Sequence, residues 1–215
     1  MRREIRFVSF DVDGTLVTPS FADIVWLEAL PQAVSDEWGI RLEDAKKMLY
    51  NDYNVIGPNR PEWYDLEYWV KRYRLRIDPK SFVNQYKNTV TLYPEVIDVL
   101  ERLKDSYELV VISNSSRLFL DITTRPLQRY FKHIFSTLSD LKMMKDYQAY
   151  LEICRIISAS PSEVVHVGDS MELDYVQAKK AGILAFYLDR EGKKKGRRFI
   201  KDLRGLLPRL LHCRM

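Results

Sequence analysis

Short apolar runs rich in β-branched residues recur along the chain: IRFVSFD (5–11), ELVVISN (108–114), HIFST (133–137), EVVHVGD (163–169) and ILAFYLD (183–189). Most are continuously apolar rather than alternating, as strands of a parallel sheet covered on both faces are. Between them lie segments of helical periodicity, PEVIDVLERLKDS, SRLFLDITTRPLQRYF, KDYQAYLEICRIIS and MELDYVQAKKAG. Strands alternating with helices predict an α/β fold with a doubly wound parallel sheet, a Rossmann-like core. Residues 18–92 break the pattern. They offer no convincing strand, and FADIVWLEALPQAV, LEDAKKMLYN and EWYDLEYWVKRY are helical in period, with NVIGPNRP as a loop. The expected organisation is therefore a core of residues 1–17 and 93–215 carrying an inserted α-helical cap, residues 18–92. All four tryptophans, Trp26, Trp38, Trp63 and Trp69, fall inside that insertion. A small helical subdomain needs such side chains for its own core, which we favour over an aromatic lid.

Composition narrows the setting. A chain of 215 residues with 46% hydrophobic and 30% charged residues is that of an ordinary soluble globular protein. No apolar run approaches the roughly 20 residues that span a bilayer, and MRREIRFVSFDVDGT runs from a charged end into a strand without a cleavage signal. The expectation is a cytoplasmic protein without a membrane partner. Cys154 and Cys213 form no metal or redox pattern, and Cys154 within YLEICRII reads as core. Much of the net charge of +4 falls in KKKGRR, 193–198. Without interleaved aromatics that run reads as a solvated loop, and we expect no nucleic-acid partner. His166, mid-strand in VVHVGD, reads as a satisfied core histidine. Oligomeric state is not encoded in any of these patterns.

Candidate chemistry sits at strand ends. The first strand closes on Asp11 and Asp13, and two carboxylates so close repel unless a cation or a proton lies between them. Side chains two apart on an extended chain point the same way, and Gly14 lets the chain turn sharply after them. Ser113 and Asp169 end two further strands, and open parallel sheets bind ligands beyond those ends. A calcium-binding EF-hand also begins D-x-D but needs Gly at position six and Glu at twelve; Leu16 and Ala22 occupy those places.

Asp11-Val12-Asp13-Gly14-Thr15, Ser113-Asn114, a lysine near 145, and Gly168-Asp169-Ser170 followed by Asp174 together resemble the haloacid dehalogenase-like hydrolase superfamily, in members with a helical cap after the first strand. The resemblance covers the whole chain. It implies Asp11 as nucleophile toward phosphorus and Asp13 as general acid to the leaving oxygen, then general base for water. It implies a Mg²⁺ site built from the Asp11 carboxylate, the Asp13 carbonyl and Asp169, with Asp174 behind it orienting metal-bound water or the lysine. Ser113 and Asn114 would hold phosphate oxygens through hydroxyl and backbone N–H groups. The active-site lysine departs from the family pattern, since relatives usually show Lys-Pro where this chain reads LKMMKDYQAY. Lys145, at the start of a helix whose N-terminus would favour an anion, is the first choice for catalysis and substrate binding, with Lys142 as the alternative.

Three functions follow. The first is a Mg²⁺-dependent phosphatase of small phosphomonoesters, working through an aspartyl-phosphate. The second is a 2-haloacid dehalogenase, whose halide leaving group needs no acid at position 13 and no Mg²⁺. The third is a non-enzymatic phosphoacceptor or Mg²⁺-binding module. Asp13 favours the first.

Overall fold

The computed structural model describes residues 4–211. Its sheet is built from β1 (Phe7–Phe10), β2 (Glu108–Ser113), β3 (His133–Ser136), β4 (Val164–Gly168), β5 (Leu184–Leu188) and β6 (Phe199–Ile200). All neighbours pair in parallel, in the order β3-β2-β1-β4-β5-β6. The predicted α/β class and doubly wound parallel sheet are thus present. The two-residue β6 is an addition, too short to leave a pattern in the sequence.

The chain steps outward from β1 through β2 to β3, then crosses back to β4 and steps the other way. The direction reverses between β1 and β4, where such sheets open a crevice beyond their carboxyl ends. β1 pairs with both neighbours in one register, Phe10 lying opposite Val111 on one side and Val167 on the other. Asp11, Ser113 and Asp169 therefore emerge at one edge from adjacent strands.

Both faces are covered, which is why the strands read as continuous apolar runs. One face packs Val8, Phe10, Val111 and Val167 beneath α6 (Val96–Leu103) and α11 (Leu207–Leu211). The other packs Phe7, Val110 and Ile112 against Tyr150 and Ile153 of α9 (Tyr147–Ile156) and Ala178 of α10 (Gln177–Lys180). Cys154 is a buried free thiol in that second layer; Cys213 lies outside the described residues. The helical run expected over 116–131 stops as α7 (Arg117–Thr123) and tightens into a 3₁₀ turn over Arg125–Tyr130, because Pro126 cannot continue an α-helical ladder. The basic run 193–198 is an exposed loop between β5 and β6.

From Ser20 to Thr89 the described chain is helical throughout its regular elements. α1 (Ser20–Asp23) continues through a π-turn, Ile24–Ala29, into α2 (Leu30–Trp38), which ends on Gly39 in the left-handed region. Next come α3 (Leu42–Ile56), a 3₁₀ turn (Pro61–Tyr64), α4 (Leu66–Arg72) and α5 (Pro79–Asn84). α3 runs into the stretch read as a loop and stops at Gly57, φ 74°. α5, which the sequence pattern did not predict, starts on Pro79 with Asp78 accepting from Ser81 N at 2.7 Å. These helices enclose a cluster around the fully buried Trp69, with Phe21, Val25, Leu30, Leu49 and Tyr73. Trp26 stacks on Phe119 of α7 at 5.2 Å, so it packs this cluster onto the sheet layer. Trp38 is 46% exposed and donates to the Tyr73 carbonyl at 2.9 Å. The segment joins the sheet through two paired strands of chain, Thr18 N donating to Thr91 O (2.8 Å) and Tyr93 N to Leu16 O (3.1 Å). Among the described residues no helix is long and apolar enough to cross a membrane.

Candidate active site

Lys145 is the centre of the site. It is 2% exposed, and its Nζ lies 2.5 Å from Asp11 Oδ1 and 2.6 Å from Asp174 Oδ1. Burial works against its charge, but Asp11 and Asp174 outweigh that and hold the ammonium protonated. Lys142 points elsewhere: it sits in the left-handed region at φ 56° and lines a neighbouring cleft. The expected anion site at the helix start is not present. Lys145 precedes the helix, and Asp146 caps it by accepting from Gln148 N (2.9 Å) and Ala149 N (3.0 Å), so those donors are already occupied.

Asp11, Asp169 and Asp174 each offer an oxygen within 4.8 Å of the others. Their environments differ. Asp174 is fully buried and its oxygens are committed: Oδ1 to Lys145 and to His166 Nε2 (3.1 Å), Oδ2 to Ser170 N (2.8 Å). Burial pushes its pKa up, yet Lys145 and His166 hold it well below the usual carboxylate range. Both of its oxygens are thus engaged by donors of the protein itself. Asp169 faces the open crevice, and its carboxyl is raised to about 6 by desolvation among its neighbours and by the Asp174 charge. Burial, with Asp174 and Asp169 adding to it, raises Asp11 against the opposing pull of Lys145. Two carboxylates that repel each other, with oxygen donors alone, fit a hard divalent cation. Gly14, at φ 80°, makes the approach possible, since a Cβ there would overlap the Asp169 carboxylate.

Asp13 does not join that trio. Its Oδ2 accepts from Ser115 Oγ at 2.6 Å, and burial raises its pKa although Ser115 and Lys145 oppose the shift. Adjacent carboxylates of the DVD motif thus have different surroundings, one beside an ammonium and the other beside a hydroxyl.

Ser113 and Asn114 line the same edge. Ser113 Oγ accepts from Ser115 N (3.1 Å), which leaves its proton to donate. Asn114 Oδ1 accepts from Thr137 Oγ1 and from Lys145 N, both at 2.7 Å. A backbone N–H can only donate, so this fixes the amide's orientation. Its Nδ2 is buried without a hydrogen bond of good geometry among the described residues, though it lies near enough to the Tyr64 hydroxyl to draw that phenol's pKa down.

Several neighbours left no mark in the sequence. Ser115 merely follows Ser-Asn. Tyr64 comes from the 3₁₀ turn of the helical segment; burial raises its pKa while the Asn114 amide and Lys145 draw it down. Arg190 donates to Gly14 O (3.0 Å) and Thr15 O (2.7 Å), pairs with Glu95 (2.8 Å) and lies over the Tyr93 ring, pinning the loop that carries Asp13. Beside Tyr64 opens a cleft of about 920 Å³, with Lys80 and Asn84 on the helical wall and Ser116, Arg117 and Lys142 on the sheet wall.

Comparison with known proteins bears on the family and the fold. The family described as haloacid dehalogenase-like hydrolase matches residues 5–182. Glyceraldehyde 3-phosphate phosphatase of Methanopyrus kandleri is 24% identical over 204 residues, covering 88% of this chain and 85% of that protein. A HAD phosphatase structure from Thermococcus onnurineus superposes with a TM-score of 0.85 at 23% identity, over 96% of this chain and 98% of that one. A 2-haloacid dehalogenase from Pseudomonas syringae gives 0.67 at 23% identity, over 98% and 100%. Likeness to the two structures establishes the fold and does not separate the two chemistries.

Proposed function

This chain belongs to the haloacid dehalogenase-like hydrolase family, and from that premise we propose that it is a Mg²⁺-dependent phosphatase hydrolysing small phosphomonoesters through an aspartyl-phosphate. The observation that carries the proposal is the unequal treatment of Asp11 and Asp13. Burial raises both carboxyls, but only Asp11 is held directly against the Lys145 ammonium, whose charge pulls it toward the ionised, nucleophilic form. Asp13 has a raised pKa and a hydroxyl partner, which suits a group that gives and takes a proton.

In this reading Asn114 Nδ2, Ser113 Oγ and Lys145 Nζ receive the phosphoryl oxygens. A carboxylate oxygen of Asp11 attacks phosphorus, the bond to the ester oxygen breaks, and Asp13 passes its proton to the departing alkoxide. Water then attacks the phosphorus of the aspartyl-phosphate while Asp13 takes its proton. Phosphate leaves and Asp11 is restored. Asp11, Asp169 and the Asp13 carbonyl would hold Mg²⁺, which when bound supplies neutralising charge for the phosphoryl group and the carboxylates. Residues 18–92 serve as the cap, with Tyr64 bringing it to the reacting group and the cleft beside it receiving the alcohol portion. A dehalogenase would have no use for a proton donor at Asp13, because halide leaves unprotonated.

The test is a panel of phosphate esters beside 2-chloropropionate, assayed with Mg²⁺ and with EDTA. Phosphate release that EDTA stops and Mg²⁺ restores supports the proposal. Chloride release undiminished by EDTA would replace it with the dehalogenase.

A further inference from the structure

Behind the site runs a buried polar chain for which the proposed reaction has no direct use. Ser9 of β1 and His166 of β4 lie opposite each other in register, at 1% and 0% exposure. The imidazole Nδ1 is 2.8 Å from Ser9 Oγ, its Nε2 is 3.1 Å from Asp174 Oδ1, and the Tyr150 ring packs edge-on at 5.0 Å. An ionised carboxylate only accepts hydrogen bonds, so Nε2 carries a proton. The neutral tautomer protonated on Nδ1 would set two lone pairs against each other across that 3.1 Å. Ser9 suits both remaining states of the ring. Its hydroxyl donates to a bare Nδ1, or accepts from Nδ1–H while donating to the Val165 carbonyl at 3.1 Å. The Asp174 oxygen that meets His166 is the one that holds Lys145.

We propose that His166 is a positioning residue, held by Ser9, whose Nε2–H fixes the Asp174 carboxylate and through it sets the Lys145 ammonium against Asp11. Partners one step behind a catalytic site typically contribute about 10- to 100-fold. The kinetic consequence rests on the phosphatase reading; the geometry does not.

Two measurements test it. In a double-mutant cycle on phosphate-ester hydrolysis, His166→Met lowers kcat about tenfold with KM within about twofold, and Ser9→Ala lowers it less. In a Lys145→Met background, His166→Met costs under about twofold more, because the group it positions is gone. Equal losses in both backgrounds would mean general structural damage and overturn the proposal. The second measurement needs no substrate, so it decides even if no ester is hydrolysed. Nitrogen-15 NMR of the unsubstituted protein shows the His166 ring protonated at Nε2, and the Lys145 ammonium signal moves in folded Ser9→Ala and His166→Met. A neutral ring protonated on Nδ1, or an unmoved Lys145 signal in both variants, refutes the assignment.

Discussion

Replacing Lys145 with methionine keeps the stem and removes the charge. The ammonium lies 2.5 and 2.6 Å from two buried carboxylates, so two effects separate. Breaking a buried ion pair by deleting one partner typically costs about 3–5 kcal/mol of stability. The cost is limited here because Asp11, already raised, can take up a proton, but a protonated Asp11 is no nucleophile. For catalysis, a unit charge about 4 Å from a phosphoryl oxygen at an effective dielectric of ~20 is worth about 4 kcal/mol. That is the upper end of the roughly 10²- to 10³-fold lost when other charge-stabilising groups are removed. Lys145→Met should therefore lower kcat about 10²- to 10³-fold on p-nitrophenyl phosphate with Mg²⁺, measured on protein whose thermal unfolding confirms a folded state. Lys142→Ala, on the cleft wall, should stay within about threefold. Folded Lys145→Met retaining more than a third of the wild-type kcat, or the reverse order for the two lysines, would refute the electrostatic argument.

Asp11→Asn removes the attacking charge at nearly constant volume and should abolish turnover with the fold retained; activity above a few per cent of wild type would exclude Asp11 as nucleophile. Asp13→Ala should slow sugar phosphates far more than p-nitrophenyl phosphate, whose leaving group departs with little help, and Ser115→Ala should reproduce part of that selectivity through the 2.6 Å bond. Equal losses on both esters would leave Asp13 no role in proton transfer. Gly14→Ala would strain a φ of 80° and push into the Asp169 carboxylate, so the Mg²⁺ concentration for half-maximal activity should rise at least about tenfold. An unchanged Mg²⁺ titration would place the cation away from Asp169.

The class of sheet was legible in the chain alone, because strands covered on both faces are apolar at nearly every position and those runs survive without context. The sequence also placed Asp11, Ser113 and Asp169 at strand ends, where a local break in hydrophobicity is visible. That these three ends are neighbours followed only from the order β3-β2-β1-β4-β5-β6, which pairing between distant segments creates. The choice of Lys145 over Lys142 was likewise tertiary: the two differ by three residues in a loop, and only the folded chain turns one between Asp11 and Asp174. Asp146 as the cap of the following helix could have been read from the Asp before the helical period, and it removes the anion site expected there. Tyr64, Ser115 and Arg190 come from a helical turn, a loop and a strand end of unremarkable composition, so no periodicity marks them. His166 was legible as a satisfied core residue, but its partners Ser9 and Asp174 lie 157 and 8 residues away. Hydrophobic period records what a residue is buried in; which polar group it meets there depends on how distant segments cross, and that is decided by the packed fold.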